Sequence, residues 1–525
     1  MKNIVNIVNF IRACEPRSDV DLLKPVTKQI ALLEKHNLPG TFLLQYDALL
    51  EERFTGPLQG KAFELGLWLE IVQPLCEAAG LPWHGRFPWD WHAHCGFSVG
   101  YLPEAREILI DRAFEKFREV FGAYPRVMGS WALDAHSLRY AHEKYGLDTA
   151  CICKDQFGTD GYTLWGGYYN GAYYPSKQNM FCPAQHEAAQ IDVPVFRMLG
   201  SDPLDQYDFG LDLQAGHARC QSVLTLEPSC GDGGGNPDWA DWYLRENFNG
   251  HGLAYAYTQA GQENSFGWKN MRALPWQFER FAQLRDAGSV TVETLGASGR
   301  WFKESFALTP ATTMFVEKDG RRSFWYNCRN YRANVVTEGD RAWLRDLYLF
   351  REDYPELYYH DRETRDILCF SNLPVMDGNR FSGSGVRAGW VPMLNDKEFT
   401  FTNITCEEFS NSMARLIFSS ALCERLAVTF TPEAIEIELD KAQALTLLRH
   451  INPVSEQPDR RILGNEARFK LSNFTYVISL MAGKYEENEE KEEIEEKQEK
   501  QEKQKNHEKG KIGAKDGKIK IIVAS

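Results

Sequence analysis

The sequence has little of what nucleic-acid-binding and membrane proteins need. Its 525 residues carry 59 Lys and Arg against 73 Asp and Glu, which gives a formal net charge of −14. Because nucleic-acid binding needs a basic surface, we expect no nucleic-acid partner. The sequence also has no apolar run long enough to span a bilayer, so we expect no membrane partner.

Signals for export and for disulfide bonding are also scarce. In residues 1–9, Asn interrupts every apolar pair, so the apolar core of a signal peptide is missing. The 12 cysteines are scattered along the chain, and the pair Cys151 and Cys153 has no second pair at zinc-site spacing. We therefore expect a cytoplasmic protein with reduced thiols.

The chain is long and apolar enough to bury a large core. A length of 525 residues with 43% hydrophobic content exceeds one ordinary domain. Aromatic residues make up 13%, including 14 Trp and 22 Tyr. Flat rings that also carry an N–H or O–H group suit sugar rings as well as protein cores. The aromatic clusters at 83–91 and 162–174 are therefore candidate walls of a binding cleft.

Short apolar runs alternate with helical patterns over residues 1–304. This alternation predicts a parallel sheet, and the number of units predicts an α/β domain folded as a (β/α)7–8 barrel. The predicted strands lie at 4–10, 41–44, 127–131, 149–153, 193–196, 223–226, 253–258 and 290–292. The predicted helices lie at 22–36, 104–121 and 136–145.

After residue 304 the pattern changes to strands. Residues 313–316 and 323–326 flank Lys318-Asp319-Gly320, a sequence typical of a hairpin turn. We predict a mainly β C-terminal domain over residues 305–482. Residues 483–525 are predicted to be a charged, low-complexity tail, because its Glu, Lys and Gln residues cannot bury a core.

Two stretches of the first domain resemble a known superfamily. Residues 29–44 read as a helix that leads through a short loop into a strand, and residues 63–70 read F-E-L-G-L-W-L-E. Both resemble βα units of the glycoside hydrolase/deacetylase superfamily. The resemblance implies a (β/α) barrel that acts on carbohydrate, and since one fold hosts many chemistries it says less about the reaction.

The chain departs from that superfamily at its metal ligands. NodB-type polysaccharide deacetylases have H-E-I-G-N-H on this strand, where the His residues bind the catalytic metal, whereas this chain has Trp68 and Val72. The first strand of those enzymes has paired aspartates, and here Glu15 is the one carboxylate. A metal-dependent deacetylase needs an ion to activate water. The sequence G-L-W-L-E is instead similar to the barrels of glycoside hydrolase family 57, and this similarity implies carboxylate chemistry.

Glycoside hydrolysis needs one ionised and one protonated carboxyl group. In a barrel such groups lie at the carboxyl ends of strands, which leaves Asp134, Glu263 and Glu70 as catalytic candidates. Asp134 follows the predicted strand 127–131 and precedes a helix. It could cap that helix. The resemblance to family 57, whose nucleophile follows the fourth strand, instead implies that Asp134 is the nucleophile or base.

The other two candidates have different surroundings. Glu263 lies in a polar loop, where Phe266 and Trp268 would desolvate it as a general acid requires. The alternative is a surface carboxylate. Glu70 lies within an apolar run, so it needs a cation, a hydrogen-bond donor or a ligand as partner.

Further candidates for substrate binding follow predicted strands or carry aromatic rings. They are Trp91, His92, Trp131, Asp155, Glu227 and Trp268. His92 and His94 form an H-x-H, which on a strand would point both rings to one face, as metal ligands commonly do. A proton relay or a hydrogen-bonded structural role for His92 is the alternative.

Three functions fit these observations. The first is a glycosidase, or another glycan-processing hydrolase, with Asp134 and Glu263 as its catalytic pair, an oligosaccharide or glycan-derived substrate and no expected cofactor. The second is a metal-dependent, deacetylase-like hydrolase with a divalent metal on His92, His94 and a carboxylate. The third is a non-catalytic carbohydrate-binding protein. The missing deacetylase ligands weigh against the second, and the strand-end carboxylates weigh against the third.

Overall fold

Two compact units make up the chain, and each draws on separate segments. The computed structural model describes residues 1–207, 224–383, 385–409, 412–453, 455, 457–486 and 510–523. Outside those gaps, the first unit comprises Met1–Asp202, Cys220–Pro310 and Arg351–Asn372. The second unit comprises Pro203–Arg219, Ala311–Phe350 and Leu373–Ser525.

The α-helices belong to the first unit. They are α1 (Leu23–Lys35), α2 (Tyr46–Leu49), α3 (Glu52–Thr55), α4 (Gln73–Ala79), α5 (Ala93–Gly96), α6 (Pro103–Phe121), α7 (Ala135–Tyr145), α8 (Pro237–Asn247), α9 (Leu274–Asp286) and α10 (Leu295–Ser305). Within the described ranges, no helix has the length and hydropathy that crossing a bilayer requires.

Strands occur along the whole chain. The first are β1 (Lys2–Ile11), β2 (Thr41–Leu44), β3 (Glu64–Trp68), β4 (Val127–Gly129), β5 (Thr149–Ile152), β6 (Gln156–Thr159), β7 (Tyr162–Trp165), β8 (Ala172–Tyr173), β9 (Val195–Arg197), β10 (Tyr255–Ala260), β11 (Thr291–Glu293), β12 (Thr312–Lys318), β13 (Arg321–Asn327), β14 (Tyr331–Glu338) and β15 (Arg341–Leu349). They continue with β16 (Leu368–Ser371), β17 (Leu373–Asp377), β18 (Gly389–Leu394), β19 (Lys397–Glu398), β20 (Asn403–Glu408), β21 (Ala414–Ser419), β22 (Leu426–Phe430), β23 (Ala434–Leu439), β24 (Leu445–His450), β25 (Asp459–Leu463), β26 (Glu466–Leu471), β27 (Phe474–Ala482), β28 (Lys484–Glu486), β29 (Lys511–Ala514) and β30 (Lys518–Ile522).

The first unit is built on a curled, mostly parallel sheet. Its strand order is β10-β1-β2-β3-β4-β5-β9-β8, and β11 also pairs with β1. Only β8 runs antiparallel to its neighbour. A small second sheet has the order β16-β7-β6. The parallel arrangement brings the carboxyl ends of β1, β2, β3 and β10 to one edge, which is where ligands bind in such sheets.

The central strand β1 shows why Asn recurs among its apolar residues. The strand is buried from Ile4 onward, so its polar side chains need internal partners. Asn6 donates to Ser298 Oγ at 2.8 Å, and Asn9 accepts a hydrogen bond from the Gln262 backbone N–H at 3.2 Å. The Asn residues therefore tie the first strand to segments that come late in the chain.

The helices form where the sequence predicts them. Pro103 stands in the first turn of α6, and the helix ends at Gly122, whose φ of 80° suits a glycine C-cap. Leu109, Phe114 and Phe117 lie on its buried face. Their spacing follows the helical repeat, so one side of α6 packs into the core.

The predicted barrel needs correction. In the described residues the sheet is not hydrogen-bonded into a ring, since β9 and β10 do not pair. The two strands still approach each other, because the rings of Phe196 and Tyr257 lie 4.9 Å apart. The described part of the predicted strand 223–226 does not form a strand, because Thr225 makes only an isolated bridge with Ser201. Residue 223 lies outside the described residues. The fold is an α/β curled sheet, and the described residues do not form a complete (β/α)8 ring.

The second unit is mainly β. One sheet has the order β12-β13-β14-β15-β18-β24-β29-β28, with β17 on β15 and β19 on β18. The other has the order β20-β21-β22-β23-β30-β27-β26-β25. The predicted hairpin joins β12 to β13 through Asp319 and Gly320, whose φ values are 51° and 76°. Positive φ at both positions is the geometry of a tight hairpin turn.

The segments of the units differ from the predicted domain boundaries of 304, 305 and 482. Residues 351–372 belong to the first unit, although the sequence places them in the C-terminal domain. The predicted tail 483–525 also contains β28, β29 and β30. Those short apolar strands complete the two sheets of the second unit, and residues 487–509 lie outside the described residues.

Candidate functional site

An arginine and three glutamates meet where the parallel strands end. Arg12 directly follows β1, Glu70 follows β3, and Glu263 follows β10. Arg12 Nη2 lies 2.6 Å from Glu263 Oε2 and 3.7 Å from Glu70 Oε2, and Arg12 Nη1 lies 3.6 Å from Glu15 Oε2. All four side chains are buried. We call Arg12, Glu15, Glu70 and Glu263 the Arg12 cluster.

Glu70 has the polar partners that a carboxylate in an apolar run requires. Gln45 Nε2 donates to Glu70 Oε2 at 2.9 Å, and Trp89 Nε1 donates to the same oxygen at 2.8 Å. The Trp89 ring also covers the Arg12 guanidinium, whose central carbon is 4.0 Å from the ring centroid. Such a cation–π contact is stronger when both groups are out of water.

Burial shifts the pKa of Glu70 upward. Removal from water raises the pKa of Glu70, the Arg12 guanidinium opposes this shift, and the Glu263 carboxylate adds to it. The net direction is upward. A carboxyl group whose pKa is raised towards neutrality can act as a general acid.

The backbone around Glu263 is fixed against β1. Gly261 has φ of 110°, and a Cβ there would lie 1.9 Å from the carbonyl oxygen of Val8, so this turn requires glycine. Asn264 then accepts from the Arg12 backbone N–H at 3.0 Å and donates to the Arg12 carbonyl at 2.8 Å. These bonds hold Glu263 beside the Arg12 side chain.

Glu227 lies next to the same cluster. It accepts hydrogen bonds from Gln262 Nε2 at 3.2 Å and from Thr225 Oγ1 at 3.0 Å. Burial raises its pKa, and the negative charge of Glu263 raises it further. The structure therefore brings together three of the predicted residues: Glu70, Glu227 and Glu263.

Aromatic side chains fill the interior below the cluster. Trp68 stacks on Phe10 with a centroid distance of 4.1 Å, and Trp131 meets both rings edge-on at 5.8 and 5.7 Å. Val72 is also buried. Apolar groups therefore occupy the positions that correspond to the deacetylase metal ligands, and these residues do not fit that metal.

Two atoms of the Arg12 cluster lack a hydrogen bond. Among the described residues, Glu70 Oε1 and Arg12 Nη1 have no hydrogen-bond partner. A buried polar atom without a partner costs about 1–3 kcal/mol. Unsatisfied atoms of opposite polarity at strand ends are where a polar ligand would bind.

The comparisons with known proteins are distant. No protein-family model and no curated protein matches the sequence. Several solved structures to which the chain is similar are named as glycoside hydrolase/deacetylase or polysaccharide deacetylase proteins. A glycoside hydrolase/deacetylase-type protein from Parabacteroides distasonis has 16% identity and a TM-score of 0.48, over 72% of this chain and 90% of that one.

Two further structures are polysaccharide deacetylase-type proteins. The one from Mycobacterium smegmatis has 14% identity and a TM-score of 0.35, over 58% of this chain and 91% of that one. The one from Pseudomonas aeruginosa PAO1 has 12% identity and a TM-score of 0.31, over 58% and 92%. At these scores the chemistry has to come from the residues of the site itself.

Asp134 takes the first of its two predicted roles, that of a helix cap. It precedes α7 and accepts hydrogen bonds from the Ser137 N–H at 2.8 Å, from Ser137 Oγ at 2.6 Å and from Ser98 Oγ at 2.6 Å. Arg106 Nη1 lies 3.0 Å from Asp134 Oδ1, which also accepts from the Ser137 N–H. Burial alone would raise the pKa of Asp134, but Arg106 and the serine hydroxyls lower it overall. None of these contacts involves Glu263.

The H-x-H does not lie on a strand. His92 is the N-cap residue of α5, and His94 lies inside that helix. His92 Nδ1 is 2.6 Å from Asp90 Oδ1, and His94 Nδ1 is 3.2 Å from Asp366 Oδ1. Within the described part of the chain, these two His and a carboxylate do not bring one ligand atom each within 4.8 Å of one another. The structural and proton-relay roles of His92 stay predictions.

The remaining predicted residues occupy loops of the same unit. Asp155 Oδ1 forms an ion pair with Arg197 Nη2 at 2.7 Å. Trp91 is half-buried beneath the Arg17 guanidinium, at 5.2 Å from its ring centroid. Trp268 is also half-buried. Phe266, which the sequence analysis expects to desolvate Glu263, is exposed. The charged partner of Glu263 is Arg12.

Sequence reasoning missed Arg12, Gln45 and Trp89. Arg12 and Gln45 each come directly after a buried strand, the same signal that selects Glu70. Trp89 lies in the aromatic cluster 83–91, which the sequence marks as a candidate cleft wall. Its partner Glu70 could not be read from spacing, because the loop that carries Trp89 folds back over β3.

Proposed function

We propose that this protein is a carbohydrate-active hydrolase, a glycosidase, in which Glu70 and Glu263 are the catalytic pair. The observation that carries the proposal is that both carboxylates contact one nitrogen of Arg12, at 3.7 and 2.6 Å. Asp134, the residue that the resemblance favours, is engaged by Arg106 and two serines. Glu70 takes its place in the pair.

The distances favour a retaining mechanism. Two sides of the triangle formed by the Arg12 nitrogen and the two carboxylate oxygens measure 2.6 and 3.7 Å. The two carboxylate oxygens are therefore less than about 6.5 Å apart, the separation at which the inverting range begins. Their distance is compatible with the separation of about 5–5.5 Å between the carboxyl groups of retaining enzymes.

Each carboxyl group has a distinct role. Glu70, whose pKa is raised by burial, donates its proton to the glycosidic oxygen as that bond breaks. Glu263 attacks the anomeric carbon and forms a glycosyl ester. Water then hydrolyses the ester while Glu70 takes up a proton, which restores both groups. Arg12 is a positioning residue, because it holds the two carboxylates on one side of the sheet edge.

We propose that the other predicted binding residues contribute to the substrate site. The half-buried Trp131, whose ring meets Phe10 edge-on, is proposed to pack against a sugar face. Glu227 is proposed to accept a substrate hydroxyl. The proposed contacts on the surrounding loops are Trp91, His92, Asp155 and Trp268.

The test is a hydrolysis screen with four variants. Glu70→Gln and Glu263→Gln should each lower kcat at least about 100-fold, while Glu187→Gln, an exposed carboxylate of the same unit, should keep full activity. Asp134→Asn should lower the melting temperature but leave kcat per folded molecule within about threefold. Unchanged activity of both Glu variants on a cleaved glycan would refute the pair.

The product identifies the reaction class. Retention of the anomeric configuration, followed by proton NMR, is expected for the proposed geometry. Release of acetate that a chelator abolishes would instead assign the protein to metal-dependent deacetylation. Glycan binding without any product would leave the carbohydrate-binding function.

A further inference from the structure

The two carboxyl oxygens of Glu70 have different surroundings. Oε2 accepts from the Trp89 indole N–H at 2.8 Å and from Gln45 Nε2 at 2.9 Å, and Arg12 Nη2 lies 3.7 Å from it. In the described ranges Oε1 is buried and has no hydrogen-bond partner. Trp68 lowers the pKa of Glu70, but its indole N–H makes no hydrogen bond to another described residue. All the hydrogen bonds that the described residues donate to Glu70 therefore end on Oε2.

The two groups that bond to Oε2 can donate a hydrogen but cannot accept one. The indole N–H of Trp89 and the amide nitrogen of Gln45 are both donors only. A proton on Oε2 would take one of the lone pairs that these donors use, and it would face the positive charge of Arg12. A proton on Oε1 leaves both hydrogen bonds in place. Whenever Glu70 is protonated, Oε1 is therefore the favoured position, by about tenfold for one hydrogen bond kept.

Packing holds both donors in place independently of Glu70. The Trp89 ring is buried, and it contacts the Arg12 and Arg17 guanidinium groups, whose central carbons are 4.0 and 4.8 Å from the ring centroid. Gln45 directly follows β2, and its backbone N–H donates to the Ile11 carbonyl at 2.9 Å. The direction of each donor is thus set by the loop or strand that carries it.

The other titratable groups that face Glu70 have partners elsewhere. Arg12 and Glu263 act on its pKa in opposite directions, and they are joined to each other at 2.6 Å. The negative charge of Glu70 helps to raise the pKa of Tyr162, whose hydroxyl donates to the Trp91 carbonyl. Within the described part of the chain, none of these groups forms a hydrogen bond to Oε1.

We propose that Trp89 and Gln45 are positioning residues that place the acid proton of Glu70 on Oε1. The inference rests on the proposed function, because it names the atom through which Glu70 acts. The Oε1–H bond breaks, its electron pair stays on Glu70, and the proton goes to the glycosidic oxygen, which keeps the electron pair of its bond to the anomeric carbon. When water hydrolyses the ester, Oε1 takes a proton from that water.

Infrared difference spectra of the full chain between acidic and alkaline solution test the placement without a substrate. Glu70→Gln identifies the carbonyl band of protonated Glu70 by its loss. With the proton on Oε1, the carbonyl oxygen is Oε2, and the band reports its two hydrogen bonds. Trp89→Phe keeps a ring over Arg12 but removes the N–H, so the band should shift to higher frequency. A band that does not move overturns the inference.

A second tryptophan supplies the matched control. The indole N–H of Trp239, in α8, donates to Asp202 Oδ2 at 3.4 Å, so Trp239→Phe also removes a buried indole–carboxylate hydrogen bond. It should leave the band and the titration midpoint of Glu70 unchanged. An equal band shift in Trp239→Phe would show a general effect of the substitution and overturn the role of Trp89.

Gln45→Met tests the direction of the amide hydrogen bond. The ionised form of Glu70 loses a donor, so the midpoint of its infrared titration should move to higher pH. A midpoint at lower pH would show that the amide oxygen accepts the proton from Oε2, which overturns the placement. Gln277→Met removes a buried amide that donates to the Leu226 and Gly234 carbonyls, and it should leave the midpoint of Glu70 unchanged.

A pH profile on a cleaved glycan tests the positioning role. Trp89→Phe should lower kcat about tenfold, because the proton is then divided between two oxygens. KM should stay within about threefold, since the indole acts through Glu70, and the alkaline limb of kcat/KM should move to higher pH. A raised KM with unchanged kcat would make Trp89 a binding residue and overturn the positioning role.

The outcomes separate this inference from the proposed function. If Glu70→Gln leaves hydrolysis unchanged, the catalytic pair fails, and the infrared band of Trp89→Phe still decides which oxygen carries the proton. If Glu70→Gln abolishes hydrolysis while Trp89→Phe changes neither the band nor kcat, the catalytic pair stands and the positioning by Trp89 fails.

Discussion

Arg12 balances the charge of the candidate site. Its guanidinium contacts Glu15, Glu70 and Glu263, and all of these groups are out of water. A buried ion pair contributes little net stability over an apolar replacement, but the loss of one partner leaves the other charge uncompensated. The effect of Arg12 on the stability of the protein should therefore depend on pH, because pH sets the charge of the carboxylates that it contacts.

Arg12→Met should destabilise the protein by about 3–5 kcal/mol near neutral pH. Without the cation, the pKa of Glu70, already raised by burial, should rise further. A carboxyl group with a raised folded pKa binds its proton more tightly when folded, so its contribution to stability is lost as pH rises. The loss of unfolding free energy caused by Arg12→Met should therefore be smaller at about pH 4 than at about pH 8. Urea denaturation at the two pH values measures it.

Arg53→Met provides the matched control. Arg53 pairs with Glu51, and both side chains are exposed, so its loss should cost less than about 1 kcal/mol at either pH. A deficit of Arg12→Met that is equal at both pH values would contradict a shared guanidinium in the Arg12 cluster.

Single residues were only partly predictable. The sequence selects Glu70, Glu227 and Glu263 because each stands near the end of an apolar strand, and the structure brings those three together. It also selects Asp134 by the same rule. Its capping geometry includes contacts with Arg106 of α6 and with Ser98, which reach Asp134 only through tertiary packing.

At the level of the elements, the turn after β10 aims Glu263 at Arg12. Gly261 occupies a left-handed conformation that a side chain rarely adopts, and the carbonyl of Val8 fills the space where a Cβ would be. The turn after β10 therefore passes β1 at a distance that only glycine permits. The element, and not the glutamate alone, defines the geometry of the pair.

Gly261→Ala should lower both stability and activity. Backbone strain alone costs about 1–3 kcal/mol, and the contact of 1.9 Å with the Val8 oxygen must add to it by moving β10 away from β1. Thermal unfolding and kcat measure the two effects. Both should fall together, because the same movement displaces Glu263.

Gly250→Ala separates strain from the close approach. Gly250 also has a positive φ, 101°, but nothing lies within 4 Å of its Cβ position. We expect it to lose stability through strain only, with activity unchanged. A Gly261→Ala variant as stable and active as Gly250→Ala would show that the turn does not aim Glu263.

For the whole molecule, the last strands determine whether the second unit is complete. β30 lies between β23 and β27, and β29 pairs with β24 and β28. Both strands come after a stretch of almost entirely Glu, Lys, Gln and Asn. Composition alone suggests a dispensable tail, but pairing makes its end part of two sheets.

Truncation after residue 486 should unfold or strongly destabilise the second unit, because β23 and β27 lose their common neighbour. Calorimetry of the truncated and full chains measures the loss. Replacement of residues 487–509 by a Gly-Asn-Gly turn is the control, since Glu486 and Lys511 are paired opposite each other and a short turn can join them. Equal unfolding temperatures for the truncated and full chains would contradict this role.

The sequence by itself determined the types of secondary structure and the sheet edge at which the candidate catalytic residues lie. Apolar runs, Pro103, Gly122 and Asp319-Gly320 encode strands, helix ends and a hairpin through local backbone preferences. Polar residues after buried strands marked Glu70 and Glu263 for the same local reason.

Only the tertiary structure decided which of these groups act together. Arg12 and Glu263 are 251 positions apart in the chain, and β10 reaches β1 through parallel pairing that no local pattern specifies. The lack of pairing between β9 and β10 within the described residues and the capping role of Asp134 likewise depend on packing between distant segments. Pairwise contacts across the fold set charge balance and burial, and these in turn select the proposed catalytic pair.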